Sequence, residues 1–186
     1  MAALGVVVAV LDTSVLFPLY LRDTLLRAAE KDLYQPVWSA AILAELRRAL
    51  VRRRRSDAER ARRLVQQMRS AFPEAEQTGY HRLVMLMANH EEDRHVLALA
   101  VRAKAEIIVT SNLRHFPKKA LDPYGIQAMS ADAFLLEKLD HAPEQMTAII
   151  WDQAASYRKP QMTARDVVAR LAASAPKYAD AVRMML

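Results

Sequence analysis

Cysteine is absent from this 186-residue chain, glycine occurs three times, and aromatic residues make up 6% of it. Without cysteine, disulfide scaffolds and thiolate chemistry are excluded, and a reducing cytosol suits the chain. With so few glycines, neither a Walker-type phosphate loop nor a GxGxxG fingerprint occurs, which removes support for both kinds of nucleotide site. No uninterrupted apolar run reaches membrane-spanning length. The first run, Val6 to Leu11, is too short for a signal peptide's hydrophobic region and lacks a basic flank and a small-residue cleavage site. A cytoplasmic protein without a membrane segment is the expectation. What the chain does hold is 53% hydrophobic and 26% charged residues, the make-up of a soluble globular protein with one core and a small extension.

The net charge of +6 is concentrated. Ten arginines fall between Arg47 and Arg69 against only Asp57 and Glu59, so that segment carries +8 and the rest of the chain −2. Such a patch suits a polyanion or an acidic protein partner. A solvated arginine face on a helix would have the same composition.

Hydrophobic periodicity alternates between the two regular structures. Gly5 to Leu11 reads as a buried parallel strand ending at Asp12, and Val15 to Ala29 as a helix that Pro18 interrupts. Leu33 to Val37 is a second strand, and Ser39 caps a helix to about Leu50 whose apolar face is Ile42, Leu43, Leu46 and Leu50. Arginine-rich helix follows to Ser70, broken near Arg55 and Ser56, where Ser56 and Glu59 have capping-box spacing. Tyr80 to Ala88 reads as a short apolar helix. The stretch from Asp93 to Pro117 then runs from helix into a strand, Ile107 to Val109, with Asp93 in the first helical turn and Thr110, Ser111 and Asn112 after the strand. A last strand at Ile126 to Met129 precedes a Ser130-capped helix, and helices at roughly 143–157, 163–174 and 176–185 close the chain. Strands separated by helical crossovers imply an α/β fold with a parallel sheet.

Three carboxylates fall at comparable places: Asp12 ends the first strand, Glu45 lies beside the apolar stripe of its helix, and Asp93 opens the helix before the third strand. Asp12, with Thr13 and Ser14, could equally cap a helix, and Glu45 could pair with Arg48 on the surface. If the three converge, with Asn112 as a neutral oxygen ligand, they suit a hard divalent cation such as Mg2+ or Mn2+. A metal so held lowers the pKa of a bound water and stabilises a leaving phosphate oxygen.

VLDTSVL at 10–16, SAAILAELRRAL at 39–50, the stretch 93–117 and YGIQAMSADAFL at 124–135 together resemble the PIN-domain ribonucleases, specifically the VapC-type toxins of bacterial toxin–antitoxin pairs. The resemblance implies a three-layer α/β/α PIN-like fold with a central parallel sheet over 1–140 and a helical C-terminal extension over 141–186. It implies a metal-dependent endoribonuclease acting on structured RNA of the tRNA or rRNA class, with a cognate antitoxin and a homodimeric state. Carried over, the acidic quartet falls on Asp12, Glu45, Asp93 and Asn112 as catalytic metal ligands for Mg2+ or Mn2+. Where the family often has a further carboxylate, this chain has His115, so one well-bound metal, or a second bound only with substrate, is the expectation. Thr13, Ser14 and Thr110 are read as orienting hydroxyls, and Arg47, Arg48, Arg52, Arg53, Arg54 and Arg55 as contacts for RNA or antitoxin. The competing reading is a non-catalytic PIN-like module that binds nucleic acid through the arginines. A zinc site on His90 and His95 has poor spacing and no cysteine to support it.

Overall fold

A computed structural model describes residues 6–186; Gly5, the expected start of the first strand, lies outside them. In chain order the elements are β1 (Val8–Leu11), α1 (Thr13–Leu16), α2 (Leu19–Glu30), β2 (Gln35–Val37), α3 (Ala40–Arg52), α4 (Ala58–Ala71) and α5 (His81–Val84). There follow α6 (Arg94–Ala103), β3 (Ile107–Val109), α7 (Lys118–Leu121), β4 (Gln127–Met129), α8 (Ala131–His141), α9 (Pro143–Ser156), α10 (Ala164–Leu171) and α11 (Pro176–Arg183). The four strands form one parallel sheet in the order β2-β1-β3-β4. Helices cover it to give a three-layer α/β/α fold with a helical C-terminal part.

This strand order positions the site. The chain leaves β1 to one side for β2 and returns to the other side for β3, so the carboxyl ends of β1 and β3 adjoin at a topological switch point, where open α/β sheets bind ligands. The ladder extends past the strands: Asp12 N donates to Val109 O at 3.1 Å and Thr110 N to Met129 O at 3.0 Å. Asp12 and Thr110 are therefore fixed at that crevice by backbone bonds before their side chains do anything.

Local chemistry sets most boundaries. Pro18 separates α1 from α2, because it has no N–H to continue the first helix. Pro36 is tolerated in β2 because that strand is at the sheet's edge. Ser39 caps α3 by accepting from Ile42 N at 3.2 Å. The break between α3 and α4 falls where the arginine run predicts, yet the cap is Asp57 rather than Ser56: its carboxylate accepts from Arg60 N at 2.7 Å. A carboxylate adjoining the helix terminus satisfies the same orphan N–H with added dipole stabilisation.

Of the stretch Tyr80 to Ala88, only His81–Val84, α5, is helical, and it is a single turn. An isolated stretch that short has no stable helix of its own. Tyr80 and Met87 bury at its two ends while Met85 stays 83% exposed.

One core runs from Ala9 to Val182 through sheet, helices and C-terminal part. Trp38 is fully buried in it, edge-on to Phe72 with ring centroids 5.8 Å apart, whereas Trp151 on α9 is about half exposed. Among the described residues no helix is long and apolar enough to cross a membrane.

Candidate metal centre and arginine groove

Asp12 sits in the last residue before α1, nearly inaccessible, and its Oδ2 accepts two hydroxyls: Ser14 Oγ at 2.6 Å and Thr110 Oγ1 at 2.8 Å. Those hydroxyls are fixed in turn, since Ser14 Oγ accepts from Ser111 N at 3.0 Å and Thr110 Oγ1 from Asn112 N at 3.0 Å. Asp12 is thus oriented rather than used as a helix cap; its side chain makes no capping bond.

Glu45 projects from α3 at the margin of the apolar stripe, half-buried. Its Oε2 accepts from Thr13 Oγ1 at 3.0 Å and its Oε1 meets His95 Nε2 at 3.3 Å. Burial pushes the Glu45 carboxyl up, but His95, Thr13 and the Arg48 charge outweigh it and hold the group below the ordinary range. His95 shows the complement: burial disfavours its charged form, and Glu45 together with the charges of Asp93 and Asp12 holds it above its ordinary value.

Asp93 stands at the N-cap of α6 without bonding that helix, which leaves its carboxylate for the crevice. Its Oδ2 contacts His115 Nδ1 at 2.6 Å. Burial raises the Asp93 carboxyl above the usual range, His115 pulls it back, and the Asp12 charge raises it further. A carboxylate whose charge is opposed by a neighbouring carboxylate is one that a divalent cation would neutralise.

Asp12, Thr13, Ser14, Glu45, Asp93 and Asn112 line one open groove of about 1490 Å³. Thr110 lies buried behind Asp12. Arg47, Arg48, Arg52 and Arg53 line it together with Arg62, which stands on α4 outside the arginine run of 47–55. Arg54 and Arg55 do not line it: Arg54 takes a left-handed backbone (φ 52°) in the α3–α4 turn, and both are exposed. The donor set of carboxylates and an amide oxygen fits a hard divalent cation.

The histidines around this set were not foreseen as a group. The spacing of His90 and His95 gives no sign of what they do: His95 serves Glu45, while His90 stacks on His115 with ring centroids 4.0 Å apart. His90, Asp93 and His115 offer ligand atoms within 4.8 Å of one another. The only signal in the sequence was the placing of histidines at both ends of the 93–117 stretch.

The fold and this groove define an α/β protein with carboxylates gathered at the switch point of a parallel sheet. The family profile described as PIN domain matches residues 8–114, and the chain belongs to the PIN-domain family. Residues 131–184 match a second profile, described as VapC50 C-terminal domain. Among curated proteins the chain is similar to "Putative ribonuclease VapC50" of Mycobacterium tuberculosis strain H37Rv, 44% identical over 107 residues. That alignment takes in 58% of this chain and 63% of the relative's length. No solved structure matches.

Proposed function

We propose that this protein is a Mg2+- or Mn2+-dependent endoribonuclease that cuts structured RNA of the tRNA or rRNA class, and that it is the cytoplasmic toxin of a toxin–antitoxin pair. The observation that carries the reading is that Asp12, Glu45 and Asp93 line one groove together with arginines of α3 and α4. Similarity to the VapC50 ribonuclease and membership of the PIN family support it.

In this reading Asp12, Asp93 and Asn112 hold the ion, with Glu45 completing the set. A bound Mg2+ supplies an activated water and stabilises the charge on the leaving oxygen. Ser14 and Thr110 keep Asp12 Oδ2 facing a fixed direction, and Thr13 does the same for Glu45. His95 holds the other Glu45 oxygen. Arg48, Arg52 and Arg53 contact the RNA backbone, while Arg54 and Arg55 extend the positive field beyond the groove. The same arginines suit an acidic stretch of the cognate antitoxin, which would cover the groove. A homodimer completes the reading by family likeness.

The test is cleavage of total RNA by purified, antitoxin-free protein with Mg2+, Mn2+ or EDTA, with the ends mapped and Asp12→Asn and Asp93→Asn run alongside. Discrete metal-dependent fragments with 5′-phosphate ends, reduced at least about 100-fold in both variants, are expected. Salt-sensitive RNA binding that ignores metal, with no cut in any substrate, would overturn the reading in favour of a binding module.

A further inference from the structure

His90 immediately precedes a 3-10 turn, Glu91–Asp93, and so stands three residues before Asp93. Asp93 N donates to His90 O at 2.9 Å, which closes the turn and keeps the two residues adjacent. His115 ends a second such turn, Leu113–His115. One backbone bond pins the two together, His90 N donating to His115 O at 3.1 Å, and the second turn is closed by His115 N donating to Asn112 O at 2.9 Å. The rings lie nearly parallel, 10° apart in plane and 4.0 Å between centroids, so sharing one ion requires the exposed His90 ring to turn out of the stack and aim its in-plane lone pair at the ion. His115 Nδ1 already meets Asp93 Oδ2 at 2.6 Å, and one ligand-capable atom from each residue lies within 4.8 Å of the others.

We propose that His90, Asp93 and His115 form a site for a borderline transition-metal ion of the Zn2+ class, separate in its donor chemistry from the oxygen set of Asp12, Glu45 and Asp93. Two imidazole nitrogens and one carboxylate make a three-ligand set with an open position, the kind zinc accepts. Nitrogen donors favour Ni2+, Cu2+ and Zn2+ over Mg2+ and Mn2+. The backbone bond between the turns holds two ligand-bearing segments in register before any ion arrives, which lowers the ordering cost of binding.

Burial grades across the three residues: Asp93 and His115 side chains are 16% and 15% exposed, while His90 is exposed at the rim and leaves an entry path. Asp93 belongs to both sets. An ion held by the histidines therefore withdraws one carboxylate from the oxygen cluster.

The test reads metal binding alone and is independent of whether the protein cuts RNA. Zn2+ is titrated by calorimetry into the full-length, chelator-stripped protein, alongside His90→Ala, His90→Gln, His115→Ala and Asp12→Asn, with circular dichroism to confirm folding. His90 lies at the surface, so its variants keep the core. A single-ion isotherm is expected, weakened at least about tenfold by each histidine change and kept in Asp12→Asn. In nitrogen-15 spectra the His90 and His115 imidazoles are expected to shift on Zn2+ addition while His81 and His141 stay. Absence of Zn2+ binding, affinity unchanged in folded His90→Gln, or affinity lost in Asp12→Asn would each overturn the proposal.

Discussion

Burial and the nearby Asp12 charge keep the Asp93 carboxyl proton-hungry in the folded state even with His115 against it. Because its folded pKa is raised, this group favours folding at low pH and opposes it once pH rises through the raised value. Asp93→Asn is therefore expected to match or exceed the wild-type Tm in metal-free buffer near neutral pH, while losing cleavage; calorimetry giving a clearly lower Tm would contradict this. The Glu45–His95 pair has a bounded window. The lowered Glu45 pKa contributes stability above its unfolded value of 4.5 that is lost as pH falls through the folded value, and the raised His95 pKa contributes stability below 6.5 that is lost as pH climbs through its folded value. In EDTA the Tm of the wild type should fall more than that of His95→Gln between about pH 6 and about pH 8. Thr110→Val removes a donor from Asp12 and an acceptor from Asn112 N. Cleavage is expected to drop about 10- to 100-fold, with RNA affinity little changed in a filter-binding assay. The carboxylates could be found in the sequence because Asp12 and Asp93 sit at the ends of readable elements and Glu45 beside a readable apolar stripe. His95 on Glu45 and His90 on His115 could not, because those contacts arise only when separate segments close on one another.

Strands and helices were legible because periodicity reports which face is buried, and the parallel sheet followed from the length of the crossovers. Where reading failed, two local solutions competed. Ser56 and Asp57 both have capping chemistry, and the carboxylate won. Tyr80 to Ala88 is apolar enough for a helix, but with only its ends buried it settles into one turn. Asp57→Ala is expected to destabilise the protein by about 1 kcal/mol and lower the Tm by about 2–4 °C, measured by thermal unfolding. The α3–α4 hairpin also carries the groove's arginines. If Arg48 and Arg52 each neutralise one phosphate, changing either to Gln should lower the salt slope of RNA binding by about 0.7–0.9, read from affinities across a salt series.

At the scale of the whole chain, the helical extension is joined to the sheet-bearing part by buried and partly buried polar bonds as well as apolar packing. Thr24 Oγ1 on α2 donates to Gln153 Oε1 on α9 at 2.8 Å, and Gln153 Nε2 returns a bond to Tyr20 O at 3.1 Å. Tyr178 N on α11 bonds Asp132 Oδ1 on α8 at 2.8 Å. These pairings are invisible in a sequence, where the extension shows only as proline-separated helices. We expect residues 1–140 and 141–186 to unfold in one calorimetric transition, and a chain cut after His141 to lose that cooperativity, because the cut strands Thr24 without its partner and bares apolar surface.

The two tryptophans give this architecture an optical readout. Trp38 is the last residue before the Ser39 cap of the arginine-bearing hairpin, and its backbone exchanges bonds with Ala75 and Gln77 across from it. A dry indole emits to the blue of a wet one, so in Trp151→Phe the remaining fluorescence comes from Trp38 alone. Its colour then tells an observer, in a cuvette and without RNA, whether the hairpin that walls the groove is seated.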